Sequence, residues 1–355
     1  SGQDRWSVLD RIVPGYYHRL DEAGRVATST CCANTATEHR MMAKLMLDSA
    51  VTWARDYRID SFRFDLMGHQ PRAAMAELQA RVNAATGRNV LLIGEGWNFG
   101  EVADGARFVQ ASQLGLDGSG IATFSDRARD AIRGGGASDG DARQVSVQGY
   151  VNGLHYDRNA AAPTDSSATD LMRAADLVRV GLAGSLRDFR LTTFDGRELQ
   201  LAQIPYGGGQ PAGYVTSPGE VVNYVENHDN QTLYDLNAFK LPLGTSTAER
   251  ARVQILAAAL NAFSQGIAYF HACMELLRSK SMDRNSFDSG DWFNRIDWTG
   301  RDNYFGTGLP PARVNEPSWP LMRPRLADPR LDPSPADIAW NRGAFNDLLR
   351  IRSSS

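Results

Sequence analysis

Three short apolar runs, each ending on an acid and each set beside a helical pattern, constrain this chain more than any other feature. They are Asp60-Ser61-Phe62-Arg63-Phe64-Asp65, Val90-Leu91-Leu92-Ile93-Gly94-Glu95, and the run from Val221 to Asp229. Side chains alternate along a strand, so Arg63 and Asp65 share one face while Phe62, Phe64 and Leu66 take the other. A carboxylate beside a guanidinium stays ionised at neutral pH. Alone, Arg63-x-Asp65 reads as a structural ion pair; two further acids at strand ends turn it into a candidate site.

Helices are expected at 36–57, opened by a capping box Thr35-x-x-Glu38, and at 71–86, stopped by Gly87. In the first, Met42, Leu45, Met46, Ala50, Trp53, Ala54 and Tyr57 form the inward stripe; in the second, Met75, Leu78 and Val82 do. Further strands are expected at 120–124, 221–227 and 266–271, and further helices at 168–189, 247–264 and 336–351. Alternation of this kind indicates a parallel sheet with crossover helices. In a parallel α/β barrel all strand C-termini open on one face, where Asp65, Glu95 and Asp229 would converge. Two long inserts, 134–167 and 283–335, would build the rim. The second carries Trp292, Phe293, Trp298 and Tyr304, rings of the kind that pack against pyranose faces.

A net charge of −3 and the absence of a basic stripe give no support to nucleic-acid binding. No apolar run reaches the roughly 18 residues that span a bilayer. Cys31 and Cys32 are adjacent and Cys273 is remote in sequence, so no disulfide framework or zinc spacing emerges. Gly94-x-Gly96-x-x-x-Gly100 follows a strand, but its spacing is wrong for a dinucleotide loop and Glu95 would repel a pyrophosphate.

Beyond the three runs, several segments are similar to the α-amylase family of glycoside hydrolases, and within it to type I pullulanases and limit dextrinases. They include Ser7–Pro14, Asp60–His69, Gly94-Glu95-Gly96-Trp97, Phe124–Arg127, Ala131–Gly136 and His228–Leu233. The segments Glu275–Ser281 and Asp288–Arg295 favour the debranching subgroup. The resemblance implies an α/β fold, a TIM (β/α)8 barrel truncated to the strands like the family's fourth to eighth. The first three strands, upstream carbohydrate-binding domains and a C-terminal β-sandwich are then absent from residues 1–355, which form a partial catalytic domain. The opening at Ser1-Gly2-Gln3 and the end at Ser355 fit a piece of a longer reading frame, expected to be weakly active or inactive by itself. Absence of a leader therefore says nothing about secretion.

The resemblance further implies retaining hydrolysis of α-1,6 branch linkages in pullulan, amylopectin or limit dextrins, with a branched α-glucan as partner. Asp65 would be the nucleophile and Arg63 the group that keeps it ionised. Glu95 would be the acid/base, its proton favoured by Gly94, Gly96 and the Trp97 ring. Asp229 and His228 would bind the distorted sugar, with Trp97, Asn230, His69, Asp291 and Trp292 as further substrate contacts. His69 reads equally well as a surface residue at a helix entry. No cofactor is required; calcium occurs in many relatives, but no oxygen-ligand loop or other metal site is legible. Two departures stand out: Ser61 where relatives carry glycine, and Cys273 where glycine is usual, costly if φ is positive. A transglycosylating relative, such as a glycogen branching enzyme, shares all three acids. A non-catalytic glycan-binding relative typically loses at least one.

Overall fold

A computed structural model describes residues 6–140 and 142–354. The Ser1–Gln3 opening and Ser355, on which the expectation of a longer frame drew, lie outside the described residues, as does Asp141 of the first insert. The strands are β1 (Ser61–Phe64), β2 (Leu91–Gly94), β3 (Ala122–Phe124), β4 (Arg190–Thr192), β5 (Glu198–Gln200), β6 (Pro205–Gly207), β7 (Gln210–Pro211), β8 (Val221–Asn223) and β9 (Ile267–Ala268). The main sheet runs β1-β2-β3-β8-β9, with β1 to β2, β2 to β3 and β3 to β8 parallel. β4 with β5, and β6 with β7, form separate antiparallel pairs.

This corrects the expectation of a TIM barrel truncated to its fourth to eighth strands. The described residues form an open five-stranded sheet of short strands beside helices and two small hairpins. Alternating strands and helices serve open and closed parallel sheets equally, because closure depends on strand number, tilt and stagger, which local periodicity does not encode.

The chain divides into two compact units. The first comprises the residues up to Phe124 together with Tyr214–Val222. Its core joins Leu47, Ala50 and Ala54 of the helix Arg40–Asp56 to Met75, Leu78 and Val82 of the helix Arg72–Thr86, with Val90 and Leu92 beneath. Gly87 ends the second helix at φ 65°, its N–H donating to the Asn83 carbonyl at 2.9 Å. The first helix begins later than its sequence pattern implied. His39 caps it without a side-chain bond, and Leu45, Trp53 and Tyr57 of the expected stripe are exposed. Glu38 does not close a capping box; both its oxygens accept from the buried Arg19, at 2.8 and 2.9 Å.

The second unit comprises Ser125–Gly213 and the residues from Asn223 onward. Its helices Ala168–Leu182, Thr247–Ala262 and Pro335–Ser353 open on reciprocal capping boxes, Ser167 with Asp170, Ser246 with Glu249 and Ser334 with Asp337. The last two helices pack along each other. Helices Asp126–Arg133 and Leu233–Lys240, which no apolar stripe announced, complete its frame. Among the described residues, no helix is long and apolar enough to cross a membrane.

Candidate functional site

The register of β1 on β2 builds the first part of the site. Phe64 lies opposite Gly94, so the next residue of each chain, Asp65 and Glu95, leaves the sheet at the same level. The Glu95 N–H donates to the Phe64 carbonyl at 3.1 Å, and the Gly68 N–H donates to the Glu95 carbonyl at 2.8 Å. A Cβ at Gly94 would come within 2.8 Å of the Phe64 oxygen, and one at Gly68 within 2.2 Å of the Trp97 oxygen. Both glycines are therefore demanded by close approach.

One guanidinium holds both acids. Arg63 pairs through Nη1 with Asp65 and donates through Nη2 to Glu95 Oε1 at 2.9 Å. The Arg63 guanidinium carbon sits 5.5 Å from the centre of the Phe124 ring. The other oxygen of Glu95 accepts the Leu66 N–H at 2.8 Å, which Leu66 presents from a left-handed turn at φ 47°. The two acids differ in exposure, with 74% of the Asp65 side chain open to solvent and Glu95 buried. The buried acid thus meets donors, not the apolar surroundings that its glycines and Trp97 implied.

His69 corrects the reading of it as a helix-entry surface residue. It is buried, with its ring against Phe99 at 4.6 Å and Nε2 3.3 Å from Ser29 Oγ. Burial pushes its pKa down, partly opposed by Glu101. Trp97 is half-buried.

Asp229, His228 and Asn230 belong to the second unit. His228 and Asp229 are about half exposed, with Nε2 to Oδ1 at 3.6 Å, and the Asp229 N–H donates to Asn227 Oδ1 at 3.0 Å. Asn230 adopts φ 61° and donates through Nδ2 to the Ala137 carbonyl at 3.0 Å. A buried ammonium pins this turn: Lys280 Nζ donates to the carbonyls of His228 at 2.8 Å and Asn230 at 2.7 Å. Beneath it, buried Glu226 accepts from His271 Nδ1 at 3.1 Å and from the Leu233 N–H, while His271 Nε2 lies 3.1 Å from Arg278 Nη1. Glu226, His271 and Lys280 carry no role in the sequence reading. Lys280 stood in a debranching-type segment and Glu226 in Val-Glu-Asn-His-Asp, the signals that point to them.

Asp291 and Trp292 lie on a short turn, Asp291–Phe293. Trp292 is exposed, its Nε1 donating to the Thr307 carbonyl at 3.1 Å. The Arg295 guanidinium lies between the Trp292 and Tyr304 rings, 3.9 Å from each centre. Cys273 takes φ 68°, the left-handed backbone that its departure from glycine made a concern. Cys31 and Cys32 are exposed, with their sulfurs 3.2 Å apart.

Comparison with known proteins decides what this assembly is part of. A family described as alpha-1,6-glucosidases, pullulanase-type, C-terminal, matches residues 300–355. Over 99% of its length the chain is 44% identical to pullulanase 1, chloroplastic, of Arabidopsis thaliana and 43% identical to pullulanase of Klebsiella pneumoniae. The chain belongs to the pullulanase family. The crystal structure of the maltotriose complex of Klebsiella pneumoniae PulA superposes with a TM-score of 0.94 at 41% identity, covering 100% of this chain and 37% of that one. The chain spans about a third of the length of these pullulanases, 37% of the Arabidopsis protein and 32% of the Klebsiella one.

Proposed function

We propose that this chain carries catalytic groups of a retaining α-1,6-glucosidase acting on pullulan, amylopectin or limit dextrins. The observation that carries the proposal is the single Arg63 guanidinium bridging Asp65 and Glu95 at the matched ends of two parallel strands. Two carboxyl groups held side by side suit double displacement, in which one attacks the anomeric carbon while the other protonates the leaving oxygen and later activates water. Exposed Asp65 is the nucleophile, kept anionic by Arg63. Buried Glu95 is the acid/base. Asp229 and His228 bind the sugar hydroxyls in the strained ring, and exposed Trp292 offers a face for a neighbouring glucose. The relatives support the substrate class, since a Klebsiella pullulanase crystallises with maltotriose.

The test is product analysis on pullulan with wild type, Asp65→Asn and Glu95→Gln, with folding checked by circular dichroism. Maltotriose should be released, linear amylose spared, and turnover lowered by several orders of magnitude in each variant. Residual activity within tenfold of wild type removes that residue from the mechanism. Panose or isopanose as main product refutes the bond assignment, and new branches indicate transfer instead of hydrolysis.

A further inference from the structure

Away from these carboxylates, the second unit buries two cations against one small cavity. The cavity measures about 20 Å³, and its walls include Arg133, Gly136, Asp139, Gln144, Asn230 and Lys240. Arg133 is 4% exposed and Lys240 1%. Among the described residues neither is ion-paired. Arg133 Nη1 donates to the Val225 carbonyl at 3.3 Å and its Nε has no partner, while Lys240 Nζ donates to the Val147 carbonyl. The lining carboxylate of Asp139 is engaged elsewhere, accepting from the Gly136 N–H at 3.0 Å and from Arg143 Nε at 2.9 Å.

Asp130 and Asp139 act on Lys240, and Asp130 and Glu226 on Arg133, only from beyond ion-pair distance. Buried charge without a direct ionic partner is costly, so this arrangement favours a negative group. Burial, reinforced by Arg133, pushes Lys240 down to about 7; burial, reinforced by Arg129, pushes Arg133 down to about 10. An occupant of opposite sign would relieve both. The volume sets its size. The cavity admits a water-sized occupant, and a monoatomic halide is close to that size. We propose that the cavity is a binding site for a single monoatomic anion of the halide class, held between the Arg133 guanidinium and the Lys240 ammonium. The site borders the His228–Asn230 turn of the same unit, because Asn230 follows Asp229 in the chain and reaches from the cavity wall to the Ala137 carbonyl. Halide occupancy therefore steadies the contact between that turn and the Gly134–Asp139 loop.

The test uses the purified chain dialysed free of halide. Its melting temperature is followed in rising sodium chloride and, at equal ionic strength, in sodium gluconate, with chloride NMR line width recorded in parallel. Chloride should raise the melting temperature by several degrees over gluconate and broaden the chloride signal, and Lys240→Met or Arg133→Gln should abolish both effects. Crystals soaked in bromide give a readout that needs no variant, with an anomalous peak expected between Arg133 and Lys240. Equal melting in the two salts with no such peak overturns the proposal. So does a chloride response that Lys240→Met leaves intact.

Discussion

Arg63 serves two acids with one planar group, and an ammonium lacks the fork to do so. Arg63→Lys should therefore release one of the two carboxylates. On the proposed mechanism, turnover on pullulan falls at least tenfold while KM stays within a few-fold of wild type; unchanged turnover shows that the bridge has no catalytic consequence. Asp235 gives a prediction that reads stability alone. Its carboxylate is buried, accepting from Ser279 Oγ at 2.5 Å and the Lys280 N–H at 2.8 Å. Burial, opposed by these bonds, raises its pKa from 3.8 to about 6. With the folded value above the unfolded one, the contribution to stability is full below 3.8 and is lost as pH rises through about 6. The melting-temperature advantage of wild type over Asp235→Asn should shrink across that window; a constant difference refutes the assignment. Local chemistry was legible at this scale where pairing is a short-range matter, as for Arg63 with Asp65. It was not legible for Lys280, whose two carbonyl partners lie 50 or more residues away.

At the scale of elements, local patterns succeeded where one face is wet and failed where none is. The helix Leu233–Lys240 has every side chain buried, so no polar face marks its period. Asp126–Arg133 buries Arg127, Arg129 and Arg133, which masks its inward stripe as a charged one. Ser246-x-x-Glu249 closes a capping box while Thr35-x-x-Glu38 does not, because Arg19 captures Glu38 for a tertiary bond. Ser246→Ala should cost about 1 kcal/mol in chemical denaturation, whereas Thr35→Ala removes no cap. A loss below a few tenths of a kcal/mol for Ser246→Ala would show that its helix needs no cap. The turn after β1 is less forgiving. Gly68→Ala places a methyl 2.2 Å from the Trp97 carbonyl oxygen, backbone that cannot rotate away. Overpacking of this kind costs about 1–3 kcal/mol. The strain falls on the bond between Gly68 and Glu95, so Gly68→Ala should lower both denaturation midpoint and turnover, and a variant as stable as wild type contradicts the contact.

For the whole molecule, each unit has its own apolar interior: Leu78 is fully buried in the first and Met322 in a cluster of the second. Leu78→Ala and Met322→Ala should each cost about 2–5 kcal/mol. Because the two side chains share no cluster, their costs should add within about 0.5 kcal/mol; a larger deviation in a double-mutant cycle shows energetic coupling between the interiors. The α/β class was legible in the alternation of runs, but whether the five strands form part of a barrel was not, since sheet curvature depends on distant strands. The sparse use of lysine has a practical consequence. Only Lys44, Lys240 and Lys280 carry side-chain amines, and the last two are 1% exposed, against 58% for the Lys44 side chain. Amine-directed coupling to side chains therefore lands on one position of the helix Arg40–Asp56, so that molecules tethered through it to a bead or an electrode all face the same way.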